Sequence, residues 1–141
     1  KYILMSKFKD VFVIDDDKVF HFIIKKLFSK NNIDISPSFY FNGLEAIEEI
    51  KQKINSGNTL PDLILLDINM PIMDGLTALK HIRAYEKDIQ KYTPIIALTA
   101  NSINGDRERY IDEGMDNYLS KPFDRNQLIA ILHLYINKNE H

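Results

Sequence analysis

Four short stretches of this chain carry side chains that could do chemistry together: Asp15-Asp16-Asp17, Asp67 at the end of an apolar run, Thr99, and Ser120-Lys121. Carboxylates gathered in one place repel one another unless a cation or a proton intervenes. A group of three or four facing one lysine and one hydroxyl is therefore a poor arrangement for stability alone. Hard oxygen ligands in that number suit Mg²⁺, which keeps several waters and takes only one or two carboxylates from protein. Each stretch also has a plainer reading. Asp17 suits a helix N-cap, Asp67 a turn, Thr99 a cap for a following helix, and Lys121-Pro122 a strand exit.

Whether these residues meet depends on the elements that carry them. Residues 11–14, 63–66 and 95–98 are short, consecutive apolar runs, the pattern of strands buried on both faces of a parallel sheet. Residues 38–41 and 117–119 are weaker strand candidates. Helical periods lie between the strands. Val19, Ile23, Lys26 and Leu27 open the face of the first helix, and Leu44, Ile47, Ile50 and Ile54 form a stripe on the second. The third spans about residues 76–83 with Leu79 and Ile82 inward, and the fourth covers about 105–113. The fifth carries Leu128, Ile131, Leu132 and Tyr135. A β-α unit repeated five times predicts a single doubly wound α/β domain. Turn formers such as Asn42-Gly43, Ser56-Gly57-Asn58 and Asp74-Gly75 punctuate it. Residues 85–93 read as a charged, solvated connection. In an open parallel sheet the carboxyl ends of the strands form one rim where ligands bind, so all four polar stretches are expected on the same edge.

Composition narrows the function classes. The 141 residues allow one domain of ordinary size, and 45% hydrophobic residues supply one core. Lys and Arg number 18 against 20 Asp and Glu, with no basic arm at either end, so nothing points to nucleic-acid binding. The absence of cysteine excludes disulfides, thiolate metal sites and a cysteine nucleophile. No apolar run approaches the ~20 residues of a membrane span. No secretory signal is visible, and the expectation is a soluble, cytoplasmic protein. The four histidines show no ligand spacing and are expected on the surface.

Four motifs, taken together, resemble the receiver domain of two-component response regulators. They are Val13-Ile14-Asp15-Asp16-Asp17, the run from Leu65-Leu66-Asp67 through Ile68-Asn69-Met70-Pro71-Ile72-Met73-Asp74-Gly75, Ile96-Ala97-Leu98-Thr99-Ala100, and Tyr118-Leu119-Ser120-Lys121-Pro122-Phe123. The resemblance covers about residues 8–137, leaving 1–7 as an extension or tag remnant and 138–141 as a tail. It implies a flavodoxin-like fold with strand order 2-1-3-4-5. It also implies that Asp67 accepts a phosphoryl group from a phosphohistidine on a sensor histidine kinase or a histidine phosphotransfer protein. Asp15 and Asp16 would be the Mg²⁺ carboxylates, Asp16 directly and Asp15 partly through water, with Asp67 and the Asn69 backbone carbonyl completing the protein's share. Lys121, Thr99, the Ala100 amide and Asn69 would form the phosphate-binding set, and Lys121-Pro122 would be cis. That division suits a reaction whose charge spreads over three oxygens, where positioning and cations do most of the catalysis.

The resemblance further implies a switch in which Thr99 moves toward the phosphate and Tyr118 turns inward, though Tyr118 also suits a half-buried strand tyrosine. The output face would be the fourth helix, fifth strand and fifth helix. There Ile129 and Ile136 lie off the core stripe, as a partner or homodimer contact or simply as core. Asn69 and Asn101 stand where the family tunes loss of the phosphate. The 85–93 connection and the segment after Thr99 resemble receivers attached to hybrid sensor kinases. A haloacid-dehalogenase-type phosphatase would also use an aspartyl phosphate, but needs a titrating acid where Asn69 stands. A pseudo-receiver usually lacks a key residue, and this chain has all of them. About 20 residues follow Lys121, enough for a last helix and no effector domain, so the expectation is a single-domain regulator or a piece of a longer protein. On this reading the protein is a signalling phosphoacceptor that catalyses only its own phosphorylation and dephosphorylation.

Overall fold

The fully apolar runs become the middle of one sheet. In the computed structural model, which describes residues 10–31, 33, 35, 37–100 and 106–138 (136–138 without their side chains), β1 is Val11–Ile14, β3 Leu63–Asp67 and β4 Ile95–Thr99, and every residue of these strands is buried. The less apolar β2 (Ser38–Tyr40) and β5 (Asn117–Ser120) take the two edges. All pairings are parallel and the order is β2-β1-β3-β4-β5, the flavodoxin-like order that the resemblance implies.

Alternation along each strand divides the core in two. Val11, Val13, Leu63 and Leu65 pack on one side with α1 (Lys18–Lys30) and α5 (Arg125–Lys138). Phe12, Ile14, Ile64 and Leu66 pack on the other with α2 (Gly43–Asn55), α3 (Gly75–Ile89) and Tyr110 of α4 (Asp106–Glu113). The helices start where caps are available. Asp17, Asn42 and Asp74 each accept a backbone N–H of the first turn, from Val19, Glu45 and Thr77, at 2.9 Å. The Asp74 carboxyl is held below the usual carboxylate range, first by the Thr77 backbone N–H.

Three expectations need correction. The buried face of α1 is Phe20, His21, Ile24 and Phe28, one residue on from the expected stripe, which leaves Val19 66% and Ile23 47% exposed. The sequence offers two apolar stripes with the same spacing, and the one with the bulkier rings is the one buried. For the same reason His21 is a core residue, not a surface one. In α2, Leu44 lies outside, and Ala46, Ile47 and Ile50 are inside.

The third correction concerns residues 85–93. There α3 continues to Ile89, and Tyr85 and Ile89 pack on the core. Of the charges that suggested solvent, Lys87 and Asp88 are exposed, but Glu86 belongs to a partly buried clamp at the far end of the sheet. Arg83 donates to the Gly114 carbonyl, the Thr93 carbonyl, Glu86 and Asp116, at 2.7–2.8 Å for the closest contact to each. Glu86 and Asp116 in turn accept the backbone N–H groups of Thr93 and Ile95. One guanidinium thus joins α3 to the starts of β4 and β5. Ile129 packs partly on the core of α5, while the Ile136 side chain and Asn101 lie outside the described residues.

Gly75 fixes how closely α3 approaches the end of β3. Its N–H donates to the Ile68 carbonyl at 2.9 Å, and a Cβ there would stand 2.2 Å from the Asp67 carbonyl oxygen and 2.8 Å from Ile68 Cα. Both obstacles are backbone and cannot swing away. Gly75→Ala is expected to lower stability by about 1–3 kcal/mol in urea unfolding, as overpacking of a tight site does. It should also move the Asp67 backbone amide signal in NMR spectra.

Candidate functional site

Strand register decides which polar groups meet. β1 pairs with β3 through Ile14 and Leu66, so Asp15 leaves β1 beside Asp67 at the last position of β3. Asp67 is itself in register with Leu98, one residue before Thr99, and Thr99 is in register with Ser120. The Lys121 N–H donates to the Thr99 carbonyl at 2.7 Å, which carries the lysine one step past the end of β5. The Lys121–Pro122 bond is cis. The four polar stretches therefore come from adjacent strands with no long loop required.

Asp15, wholly buried, is anchored on every side. Its N–H donates to the Tyr40 carbonyl at 3.0 Å, Oδ1 accepts the Asp17 N–H at 2.9 Å, and Oδ2 accepts Lys121 Nζ at 2.5 Å. The lysine ammonium also lies 4.4 Å from the centre of the Phe20 ring, a cation–π contact. Carboxylate oxygens of Asp15, Asp16 and Asp67 all lie within 4.8 Å of one another. Asp16 is exposed, whereas Asp67 is 7% exposed. Burial first, then the negative charge of Asp15, pushes the Asp67 carboxyl up to about 7; Lys121 and the Asn69 backbone N–H pull the other way.

Three carboxylates against one ammonium leave this pocket short of positive charge. The donor set, oxygens only and partly open through Asp16, fits a hard divalent cation such as Mg²⁺. Thr99 is buried at the end of β4, with Ala100 exposed just beyond it and Asn69 exposed two residues past Asp67. Tyr118 is half-buried on β5, with the Arg107 guanidinium of α4 5.6 Å from its ring centre. Two neighbours of the site escaped the sequence reading. Phe20 falls outside the apolar stripe expected for α1, and His21 gave no ligand spacing. Their shared signal is position, one turn into the helix that follows the acidic triplet.

Known proteins resemble this chain over most of its length. The response regulator receiver domain family matches residues 11–133. Two-component system protein A of Emericella nidulans is 38% identical over 124 residues, 88% of this chain and 17% of that protein. Hybrid signal transduction histidine kinase G of Dictyostelium discoideum is 36% identical over 125 residues, 89% of this chain and 3% of that protein. The chain thus spans only a small part of these curated relatives. The receiver domain of sensor histidine kinase PA1611 from Pseudomonas aeruginosa, solved with a magnesium ion coordinated in the active site cleft, is 32% identical. It superposes with a TM-score of 0.75, covering 92% of this chain and 98% of that one.

The raised Asp67 pKa fixes the sign of a pH effect. The native state holds a proton that the unfolded chain has released, so the protein is relieved of the charge clash at low pH. That advantage is lost as pH rises from about 4 through about 7. In metal-free thermal melts, Asp67→Asn is expected to gain stability over the parent chain between pH 5 and pH 8. Saturating Mg²⁺ should narrow the difference at pH 8. A gap independent of both pH and Mg²⁺ would contradict this origin.

Proposed function

From the premise that the chain belongs to the response regulator receiver domain family, we propose that Asp67 accepts a phosphoryl group from a phosphohistidine donor and that its phosphorylation resets the α4–β5–α5 face. The observation that carries this reading is the Asp67 carboxylate itself. It is nearly buried at a strand end, with two further carboxylates within 4.8 Å and Lys121 bound to one of them. A sensor histidine kinase or a histidine phosphotransfer protein is the donor class that fits, and Asp67 offers it a nearly buried carboxylate.

The chain's own residues divide the work. One Asp67 oxygen attacks phosphorus in line while the P–N bond to the donor imidazole breaks, and the imidazole leaves with the bonding pair and takes up a proton. Asp15 already uses both oxygens, on the Asp17 N–H and on Lys121, whereas Asp16 is open to solvent. Asp16 is therefore the direct metal carboxylate and Asp15 acts partly through water, with Asp67 and the Asn69 carbonyl as the remaining protein ligands. When bound, Mg²⁺ supplies positive charge to the phosphoryl oxygens as the bond to phosphorus changes hands. Lys121 has three N–H donors, so it can keep Asp15 and still hold a phosphoryl oxygen. The Thr99 hydroxyl and the Ala100 amide hold the others.

Output follows from the same contacts. Thr99 drawn toward the phosphate vacates space at the end of β4, and Tyr118 turns from beneath Arg107 to fill it. The change is presented on α4, β5 and α5 to a protein partner or to a second copy of the chain. No helix among the described residues is long and apolar enough to cross a membrane.

Intact mass after incubation with Mg²⁺ and acetyl phosphate tests the acceptor. One added phosphoryl group is expected, absent from Asp67→Asn and absent with EDTA; an adduct that survives Asp67→Asn would overturn the assignment. Light scattering with beryllofluoride tests the face. A shift from monomer toward dimer supports pairing through α4–β5–α5, and a monomer in both states removes the dimer from the reading.

A further inference from the structure

Lys121 has to stay at one point while the groups around it change. Its side chain is a flexible four-carbon stem that ends in an ammonium with three N–H donors. One donor goes to Asp15 Oδ2, and the side chain is part-exposed, so water competes for the rest. A cleft of about 250 Å³ opens beside it, lined also by Asp17, Ile23 and Pro122, which gives the ammonium room to leave. In the resting pocket the ion pair with Asp15 holds it. That pair is contested once a divalent ion draws on the same carboxylate.

The face of an aromatic ring is not contested in this way. Lys121 Nζ lies 4.4 Å from the centre of the Phe20 ring, and Phe20 is only 6% exposed. A cation is held more strongly over a desolvated ring than over one at the surface. The same helix supplies the contrast: Lys26 Nζ lies 4.8 Å from the centre of the Phe22 ring, but Phe22 is 59% exposed. The Phe20 ring is itself held in place. Phe123, two residues past Lys121, meets it edge to face, with centres 5.7 Å apart and planes at 76°. The N-cap of its helix, Asp17, donates its N–H to Asp15 Oδ1, so ring, carboxylate and ammonium share one frame.

We infer that Phe20 is a positioning residue for Lys121: its buried ring face keeps the ammonium at the acidic pocket while a phosphoryl oxygen on Asp67 joins Asp15 as its partner. Three donors are enough for Asp15, the ring face and the phosphoryl oxygen together. With the ring face weakened, the resting lysine can relax into the cleft and water, whereas the reacting state still needs it in place. The loss therefore falls on the rate of transfer. The inference rests on the proposed role of Asp67 as the phosphoryl acceptor.

Fluorination of the ring separates charge from packing. Fluorine atoms on the ring edge draw electron density from the face and change the ring's volume little. With mono-, di- and trifluorinated phenylalanine in place of Phe20, the initial rate of phosphorylation by acetyl phosphate at saturating Mg²⁺ should fall with each fluorine. With three fluorines the expected loss is about 5-fold, at a melting temperature close to that of the parent chain. Phe20→Leu, which keeps an apolar filler and no ring face, should lose at least as much. Rates that stay flat across the fluorine series, or that only follow melting temperature, would overturn the inference and make Phe20 a packing residue. Proton NMR of the unmodified chain gives a second test. The Lys121 ε-methylene protons should lie upfield, shielded by the ring face, both in the resting protein and with Mg²⁺ and beryllofluoride bound. Loss of that shielding on binding would show that the ring lets go and would overturn the proposal. If the parent chain takes up no phosphoryl group, the acceptor reading fails and this inference with it, whereas normal uptake at a rate insensitive to fluorine sinks the inference alone.

Discussion

Everything in this molecule is arranged around carboxylates at the ends of two neighbouring parallel strands. Asp15 follows β1 and Asp67 ends β3, and the pairing of those strands through Ile14 and Leu66 leaves the two no way to avoid each other. A single fixed cation, Lys121, answers one of them. The remaining negative charge is held in a place from which water is largely excluded, which is why the Asp67 carboxyl is pushed up to about 7. A pocket held in this state is poised to take up positive charge, first from a divalent ion and then from whatever demands charge compensation at Asp67.

The scaffold holds this strain by being rigid just behind it. Three central strands buried along their whole length anchor the ends from which the acidic groups project. Gly75, with no room for a Cβ against the Asp67 carbonyl, packs the start of α3 tightly on the end of β3. In the same turn Ile72 takes a left-handed backbone at φ +69°, which a β-branched residue adopts only at a cost, and its side chain is 77% exposed. At the opposite end of the sheet, the Arg83 clamp joins α3 to the starts of β4 and β5, so the far edge is tied by hydrogen bonds as the near edge is opened by charge.

The sequence was readable where one physical rule acted alone. Consecutive apolar residues in β1, β3 and β4 can be accommodated only in strands covered on both faces, and their polar exits then fall on one edge. The acidic triplet and the Lys121 exit were legible as a group for that reason. Reading failed where two rules competed. Val19-Ile23-Leu27 and Phe20-Ile24-Phe28 share one helical spacing, and nothing in periodicity tells which stripe turns inward; ring size and the Asp17 cap decide it. Residues 85–93 carry a charged pattern that reads as solvated, whereas Glu86 is paired with Arg83, whose other carboxylate partner, Asp116, lies more than thirty positions away in sequence. His21 was hidden because the two rings it packs against, Phe39 and Phe41, come from another part of the chain and leave no mark on sequence spacing.

The central claim is that Asp15, Asp16 and Asp67 form one site for one divalent ion. Carboxyl ¹³C NMR during a Mg²⁺ titration of the unmodified chain tests it most directly. The account predicts that the three carboxyl signals move together and saturate at one equivalent of Mg²⁺, while surface acids such as Glu48 and Asp88 stay still. Signals that drift independently, without saturation and in step with those surface acids, would contradict it.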